Sequence, residues 1–352
     1  MNMTYRTLYE CEGLPVLQNK TFATRDEAVQ SGRGDMKLVQ DEETGLIYNN
    51  AFNSEKLVYD ENYQNEQCCS SSFRYHLDQV RTIIDRHSND KRILEIGCGK
   101  GYFLECLLAD GYDAYGIDPA YQGTNPRVIK ELFISDLDLY GDVVILRHVL
   151  EHIEKPLSFL ADIAKANGNY GLIYIEVSCF DWICKHRTWF DVFYEHVNYF
   201  RLTDFHRIFE RVIESGRLFG DQYLYLVADL ASIRPIIDRT RERVALPDDF
   251  LSTRKYFRNL NDKARAIWGA SSKGVIFAMH MQQLSTKLDF AIDINPVKQG
   301  RYLPCSGLRV ASPEEAMNDL PAASDIIVMN SNYLDEIKHL SGNCYNYITI
   351  DI

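Results

Sequence analysis

The stretch that most constrains this chain is residues 93–101, Ile-Leu-Glu-Ile-Gly-Cys-Gly-Lys-Gly. Its apolar start fits a strand buried in a parallel sheet. It ends in glycines at every second position, Gly97, Gly99 and Gly101. A residue without Cβ takes positive φ readily and lets a ligand lie against the backbone. Next, residues 102–109 place Phe103, Leu104, Leu107 and Leu108 at helical spacing. The order is therefore strand, glycine turn, helix. The helix start offers unpaired N–H groups and the positive end of its dipole.

A second strand, 114–118, ends in Asp118. That is the usual place for a carboxylate that grips two ribose hydroxyls. A dinucleotide fingerprint asks for Gly-x-Gly-x-x-Gly, but Tyr102 stands where its last glycine belongs. The pattern present is Glu95-x-Gly-x-Gly-x-Gly. It resembles motif I of the class I S-adenosylmethionine (SAM) methyltransferases. An adenosyl sulfonium has no pyrophosphate to cradle, and its positive charge suits an acid-lined turn. The competing readings are a Rossmann-type turn that binds NAD or binds nothing. The cofactor residues expected are Glu95, Gly97, Cys98, Gly99, Gly101, Tyr102 and Asp118, with Asp136, Arg147 and His148 from later strand ends.

A length of 352 residues implies more than one domain. A net charge of −12 argues against nucleic acid as a partner. No apolar run reaches ~18 residues and no export leader is visible, so a cytoplasmic protein is expected. The nine cysteines then read as reduced thiols. Cys68 and Cys69 are adjacent, a poor geometry for chelating one tetrahedral metal, and read as loop thiols.

Four regions follow along the chain. Residues 1–75 show short apolar alternations at 36–39 and 46–48 and read as a small unit of short strands. Residues 76–232 alternate helix and strand as a doubly wound parallel sheet does. A helix is expected at 74–87, strands at 132–135, 143–146 and 171–177, helices at 157–166 and 203–212, and a closing strand at 220–230, whose hairpin partner has no clear place. Residues 233–262 read as a charged helical connector. Residues 263–352 form a second, Rossmann-like α/β unit, with strands at 266–269, 288–293, 325–329 and 347–350 and a helix at 275–281. Its turn, Gly-Ala-Ser-Ser-Lys-Gly over 269–274, is not a P-loop, because the lysine precedes the last glycine. It is read either as an anion site using Ser271, Ser272 and Lys273 or as a plain strand–helix turn.

Open α/β sheets place their sites at the carboxyl ends of the strands. The loop after 171–177 brings aromatics together with Glu195 and His196. The segment after 143–146 brings His148, Glu151 and His152. Histidine is the natural general base near neutral pH, and a neighbouring glutamate orients an imidazole. His148, His152 and His196 also admit a metal reading, which methylation of carbon does not require; no metal is expected.

The chain resembles the sugar C-methyltransferases of deoxysugar biosynthesis, which methylate carbon 3 of nucleotide-linked 4-keto-6-deoxyhexoses. The resemblance rests on four segments. The turn from Glu95 to Gly101 is similar to their SAM turn. His148-Val-Leu-Glu-His152 is similar to their Asn-Val-x-x-His segment, and Tyr194-Glu-His-Val-Asn-Tyr-Phe200 to their Glu-His-x-x-Tyr-Phe motif. The C-terminal match runs through residues 268–274 and 293–304. The resemblance implies SAM as cofactor and a nucleotide-linked sugar as substrate. It implies His196 as the base that forms an enolate, and His152 as a donor to the enolate oxygen. Glu195 would orient the base or bond a sugar hydroxyl, and Tyr194 would stand beside it. Ser272, Lys273, Asn295, Lys298 and Arg301 would hold the substrate. The chain departs from that family in three places. Its N-terminal region lacks the family's zinc cysteine pairs. Gln64 to Gln67 replace a tyrosine-rich stretch. Phe193 replaces a tyrosine three residues before the base. These departures leave room for a sister group with another acceptor. The alternatives are O- or N-methylation of another small molecule and a non-catalytic SAM- or nucleotide-binding protein.

Overall fold

A computed structural model describes the chain except residues 1–3, 59–61, 89–91, 136, 138, 236, 238–241, 259–262 and 352, and the side chains of 255 and 258. In chain order the strands of the first region are β1 (Tyr5–Pro15), β2 (Arg33–Asp41) and β3 (Ile47–Asn49). The middle region holds β4 (Ile93–Ile96), β5 (Ala114–Ile117), β6 (Val128–Ile129), β7 (Val143–Arg147), β8 (Leu172–Ser178), β9 (Asn198–Tyr199), β10 (Val212–Leu218) and β11 (Tyr223–Asp229). The last region holds β12 (Arg265–Trp268), β13 (Phe290–Ile292), β14 (Val310–Ala311), β15 (Asp325–Val328) and β16 (Asn346–Thr349).

Among the described residues these strands form three sheets, of orders β1-β2-β3-β9, β10-β11-β8-β7-β4-β5-β6 and β14-β13-β12-β15-β16. In the second sheet β4 to β8 are parallel, while β11 runs antiparallel to β8 and pairs with β10 as a hairpin. Strand order turns back between β4 and β7, which opens a crevice at their carboxyl ends, the standard ligand position of such sheets. Strands β4 and β7 are almost wholly apolar because helices cover both faces. One cover is the helix Ser71–Ser88, which buries Leu77, Val80, Ile83 and Ile84 from a single stripe. Each such side chain contributes about 1.5–3 kcal/mol.

The third sheet is all parallel. Loops at its carboxyl edge meet loops at the carboxyl edge of the second. Asn330 Nδ2 donates to Gln222 Oε1 at 2.8 Å and Asn332 Nδ2 to the Phe219 carbonyl at 2.8 Å. The Glu336 carboxylate accepts from Ser70 Oγ at 2.5 Å and from the Ser71 and Ser72 N–H groups at 3.0 and 3.2 Å. It thereby caps the helix Ser71–Ser88, whose first N–H groups have no intrahelical acceptor.

Four elements differ from the sequence reading. The strand expected at 132–135 is absent. Its place beside β5 is taken by β6, and Leu132 and Ile134 lie exposed. The helix expected at 203–212 is Leu202–Ile208, and Val212 opens β10, the hairpin partner that had no clear place. In the connector, the described residues are helical only at Ser252–Arg258, after a stretch containing Pro247. The first sheet takes its fourth strand from far along the chain: β3 pairs with β9 through Ile47↔Tyr199 and Tyr48↔Asn198.

The first sheet also packs tightly against the loop before β9. A Cβ on Gly34 would lie 2.3 Å from Tyr194 Cε2. That ring is held in place at its hydroxyl by the Asn53 backbone. Gly34→Ala is therefore expected to lower stability by about 1–3 kcal/mol. Urea unfolding should show this as a lower midpoint with an unchanged m-value.

Candidate active site

The glycine turn is built by positive φ values of 77°, 57° and 83° at Gly97, Gly99 and Gly101. Gly97 is required for a second reason. A Cβ there would meet Val149 Cγ2 at 2.3 Å, so the end of β7 lies directly against the turn. A Cβ on Gly99 would meet no atom within 4 Å, so this glycine borders open space. Asp118 accepts the Gly99 N–H at 2.7 Å and the Ala120 N–H at 2.7 Å, which braces the turn against β5. Burial raises the Asp118 pKa in spite of these bonds.

Glu95 is 2% exposed, and its Oε2 has no hydrogen-bond partner. Burial pushes its pKa up to about 7, the Arg147 charge pulls it down, and Asp118 adds to the rise. An unpartnered carboxylate beneath an open glycine turn fits a cationic sulfonium ligand. The Cys98 side chain is buried against Gly116, so what it offers the turn is backbone. Tyr102 opens the helix Tyr102–Ala109. Asp136 lies outside the described residues.

Arg147 and His148 belong to a charge network beneath the site, a different position from the cofactor contact expected. Its centre is Glu176 of β8, fully buried. The Glu176 carboxylate is 3.1 Å from His76 Nε2, 3.1 Å from His148 Nε2 and 3.6 Å from Arg147 Nη2. It also accepts the Tyr174 hydroxyl at 2.9 Å. His148 reaches back through a left-handed φ of 52° and places its Nδ1 3.3 Å from Glu151. Burial alone would raise the Glu176 pKa, but His76, Arg147 and His148 hold it well below the usual carboxylate range. Burial lowers that of His148, and the bonds and charges of Glu151 and Glu176 outweigh it, to about 9. Glu176 escaped the sequence reading, although an acid inside the apolar run 172–177 was the available signal.

His152 and His196 come together. Their rings are 4.9 Å apart, edge to face, on turns that follow β7 and β8. His152 Nδ1 donates to the Glu195 carbonyl at 2.9 Å, which leaves Nε2 as the acceptor in the neutral ring. His196 is 7% exposed, lies 4.0 Å from the Phe193 ring centroid, and its Nδ1 has no hydrogen-bond partner. Burial, then the charges of His152 and His148, hold its pKa well below 6.5, so it is uncharged at neutral pH.

Several expected site residues are engaged elsewhere. The Tyr194 hydroxyl accepts from the Asn53 N–H at 2.8 Å and donates to the Asn53 carbonyl at 3.2 Å, so this phenol anchors the loop and does not face the histidines. The Glu195 carboxylate accepts the Gln18 N–H at 2.7 Å, which ties it to the N-terminal region. Lys298 is 1% exposed and binds Ser271 Oγ at 2.5 Å and the Ala270 carbonyl at 3.2 Å, which buttresses the turn. Arg301 is spent on Thr21 and Asn62 at 2.8 to 2.9 Å. Asn295 is buried and accepts the Val297 N–H at 3.1 Å in its own turn. Ser272 and Lys273 open the helix Ser272–Gln283, and Lys273 Nζ lies 3.3 Å from Asp191 and 4.7 Å from the Trp182 ring. Gln64, from the stretch that departs from the family, bonds Lys100 of the glycine turn.

The network makes a pH prediction. The raised pKa of His148 gives stability that is complete below its ordinary value of 6.5 and is lost as pH rises through about 9. NMR titration should find His148 charged at neutral pH in the native chain. Glu176→Gln should return it toward the ordinary range and cost ~3 kcal/mol or more, because it leaves buried cations without their carboxylate.

Comparisons with known proteins agree with the fold. Residues 61–212 match the family model described as a methyltransferase domain, and residues 248–345 the model described as a C-methyltransferase C-terminal domain. The C-methyltransferase NovU of Streptomyces niveus is 24% identical over 70% of this chain and 67% of its own length. A tRNA U34 carboxymethyltransferase of Dichelobacter nodosus is 33% identical over 26% of this chain and 34% of its own length. The ubiquinone biosynthesis O-methyltransferase of Yersinia enterocolitica is 29% identical over 23% of this chain and 40% of its own length. The chain thus spans about a third of the length of the second relative and two fifths of the third. The fold is that of a class I SAM-dependent methyltransferase, SAM is its cofactor, and residues 248–345 are similar to the C-terminal domain of C-methyltransferases.

Proposed function

We propose that this protein methylates carbon in a nucleotide-linked keto-deoxysugar through an enolate. The observation that carries the reading is the His152–His196 pair, with ring centroids 4.9 Å apart on segments that follow β7 and β8. SAM supplies an activated methyl group on a sulfonium sulfur. The chain has to place the acceptor carbon and take its proton. An uncharged His196 in an apolar setting is a base already in its accepting form at neutral pH. It takes the proton from the carbon beside the ketone, and the electron pair moves onto the ketone oxygen. His152 has its Nδ1–H committed to Glu195, so it steadies that oxygen as a donor from Nε2 only when protonated. The same bond supports a second reading in which His152, with its tautomer fixed, is the base and His196 the partner.

In this reading residues 76–232 hold the cofactor and residues 263–352 the nucleotide. Ser272 and Lys273 open the helix Ser272–Gln283, and an anionic group reaching that helix start would have to draw Lys273 from Asp191. The C-terminal family match and the similarity to the C-methyltransferase NovU support attack from carbon. O- or N-methylation of another small molecule is the alternative, and it predicts no turnover with a panel of keto-sugars.

The test uses SAM with dTDP-, CDP- and GDP-linked 4-keto-6-deoxysugars. His196→Ala is expected to lower kcat by ~10²-fold or more while SAM affinity stays nearly unchanged. Turnover close to wild type would remove His196 from the mechanism and leave His152 as the base. A chain that binds SAM and methylates no sugar would contradict the substrate class.

A further inference from the structure

The loop carrying His196 is gripped by the N-terminal region on both sides of the histidine. Before it, the Tyr194 hydroxyl bridges the N–H and carbonyl of Asn53, and the Glu195 carboxylate takes the Gln18 N–H. After it, the Asn49 N–H donates to the Val197 carbonyl at 2.7 Å, and β9 pairs with β3. A strand of two residues has no stability of its own, so β3 sets where β9 lies.

Asn198 stands in β9, 5% exposed, and faces the other catalytic turn. Its Nδ2 donates to the Ile153 carbonyl at 2.6 Å and approaches the Leu150 carbonyl at 3.5 Å. Those carbonyls open and follow the short helical turn Leu150–His152. The Nδ1 of His152 in turn bonds the carbonyl of Glu195, the residue whose side chain holds Gln18. Two hydrogen-bonded routes therefore run from the N-terminal region to the His152 turn, one through Asn198 to the carbonyls that flank it and one through Glu195 to His152 itself.

We propose that the N-terminal region positions the His152–His196 pair, with Asn198 and Glu195 as positioning residues that transmit its placement to the His152 turn. The proposal rests on the methyl-transfer reading of those histidines. It gives the N-terminal region a task that requires no metal. It also moves Glu195 from the reacting groups to their support. A misplacement of ~1 Å costs about 10²-fold in rate, so a wall that fixes two turns against each other is sufficient to control turnover.

The test reads the His152 ring directly. Full-length protein labelled with ¹⁵N-histidine is examined by long-range ¹H–¹⁵N NMR, with SAM affinity and methyl transfer measured alongside. In the native chain His152 should carry its proton on Nδ1. Asn198→Asp removes both donors and sets a carboxylate against two carbonyls. It should return His152 to a mixture of tautomers and lower kcat by about 10- to 100-fold, with SAM affinity essentially unchanged. Tyr194→Phe cuts only the tie to Asn53 and should move both readouts the same way by less. Should Asn198→Asp fail to fold, Tyr194→Phe decides. An Nδ1–H tautomer unmoved in a folded variant, or absent from the native chain, overturns the proposal. If the native chain methylates no keto-sugar, the substrate reading fails while the tautomer still decides the positioning.

Discussion

A single buried carboxylate organises the site half of the cofactor sheet. Glu176 sits inside an apolar strand, where an unpaired carboxylate costs far more than the fold can spare. Its compensation comes from three elements: His76 on the helix before the glycine strand, Arg147 and His148 at the end of β7, and Tyr174 on its own strand. Meeting that need brings the end of β7 back toward the sheet and holds His148 in a left-handed conformation that few residues adopt. Val149 follows at once and packs where a Cβ on Gly97 would lie. The shape of the cofactor turn and the start of the His152 turn are thus set by the same electrostatic demand.

The acceptor side is built differently. The cofactor turn is local: strand, glycines, helix and Asp118 lie within a short span of chain. The segment carrying His196 is held by the N-terminal region, the connector and the C-terminal region. Trp189 donates from Nε1 to Thr253 Oγ1 at 2.7 Å and stacks on Phe277 with ring centroids 5.8 Å apart. Lys273 reaches across to Asp191, buried where burial raises that acid's pKa and the lysine charge lowers it. Gln18, Asn49 and Asn53 hold the other side. A binding turn built within the cofactor sheet is thus joined to a reactive turn held from the regions on either side of that sheet.

That division explains what could be read from the sequence. The glycine turn, Asp118 and the helix Tyr102–Ala109 were legible because spacing and residue type act locally there. The histidines were legible as residue types at strand ends, whereas the contact between them depends on two turns far apart in sequence. The roles of charged and phenolic side chains were the least legible. Lys298 and Arg301 look like anion contacts in a motif, but the first fills the space behind a turn and the second ties two regions together. Tyr194 was expected beside the base, and its hydroxyl is spent on the Asn53 backbone in the N-terminal region. Strand β9, two residues long, has no periodicity to read, yet it joins the N-terminal sheet to the site.

The most direct test of the account is proton exchange without methyl transfer. The protein is incubated in heavy water with a nucleotide-linked 4-keto-6-deoxysugar and S-adenosylhomocysteine, which has no methyl group to give, and the recovered sugar is weighed by mass spectrometry. The account predicts deuterium at the carbon beside the ketone, entering at a rate that depends on the His152–His196 pair. A sugar that is methylated when SAM is supplied, yet takes up no deuterium from the solvent and exchanges no faster than without protein, would contradict the enolate and the role of the paired histidines.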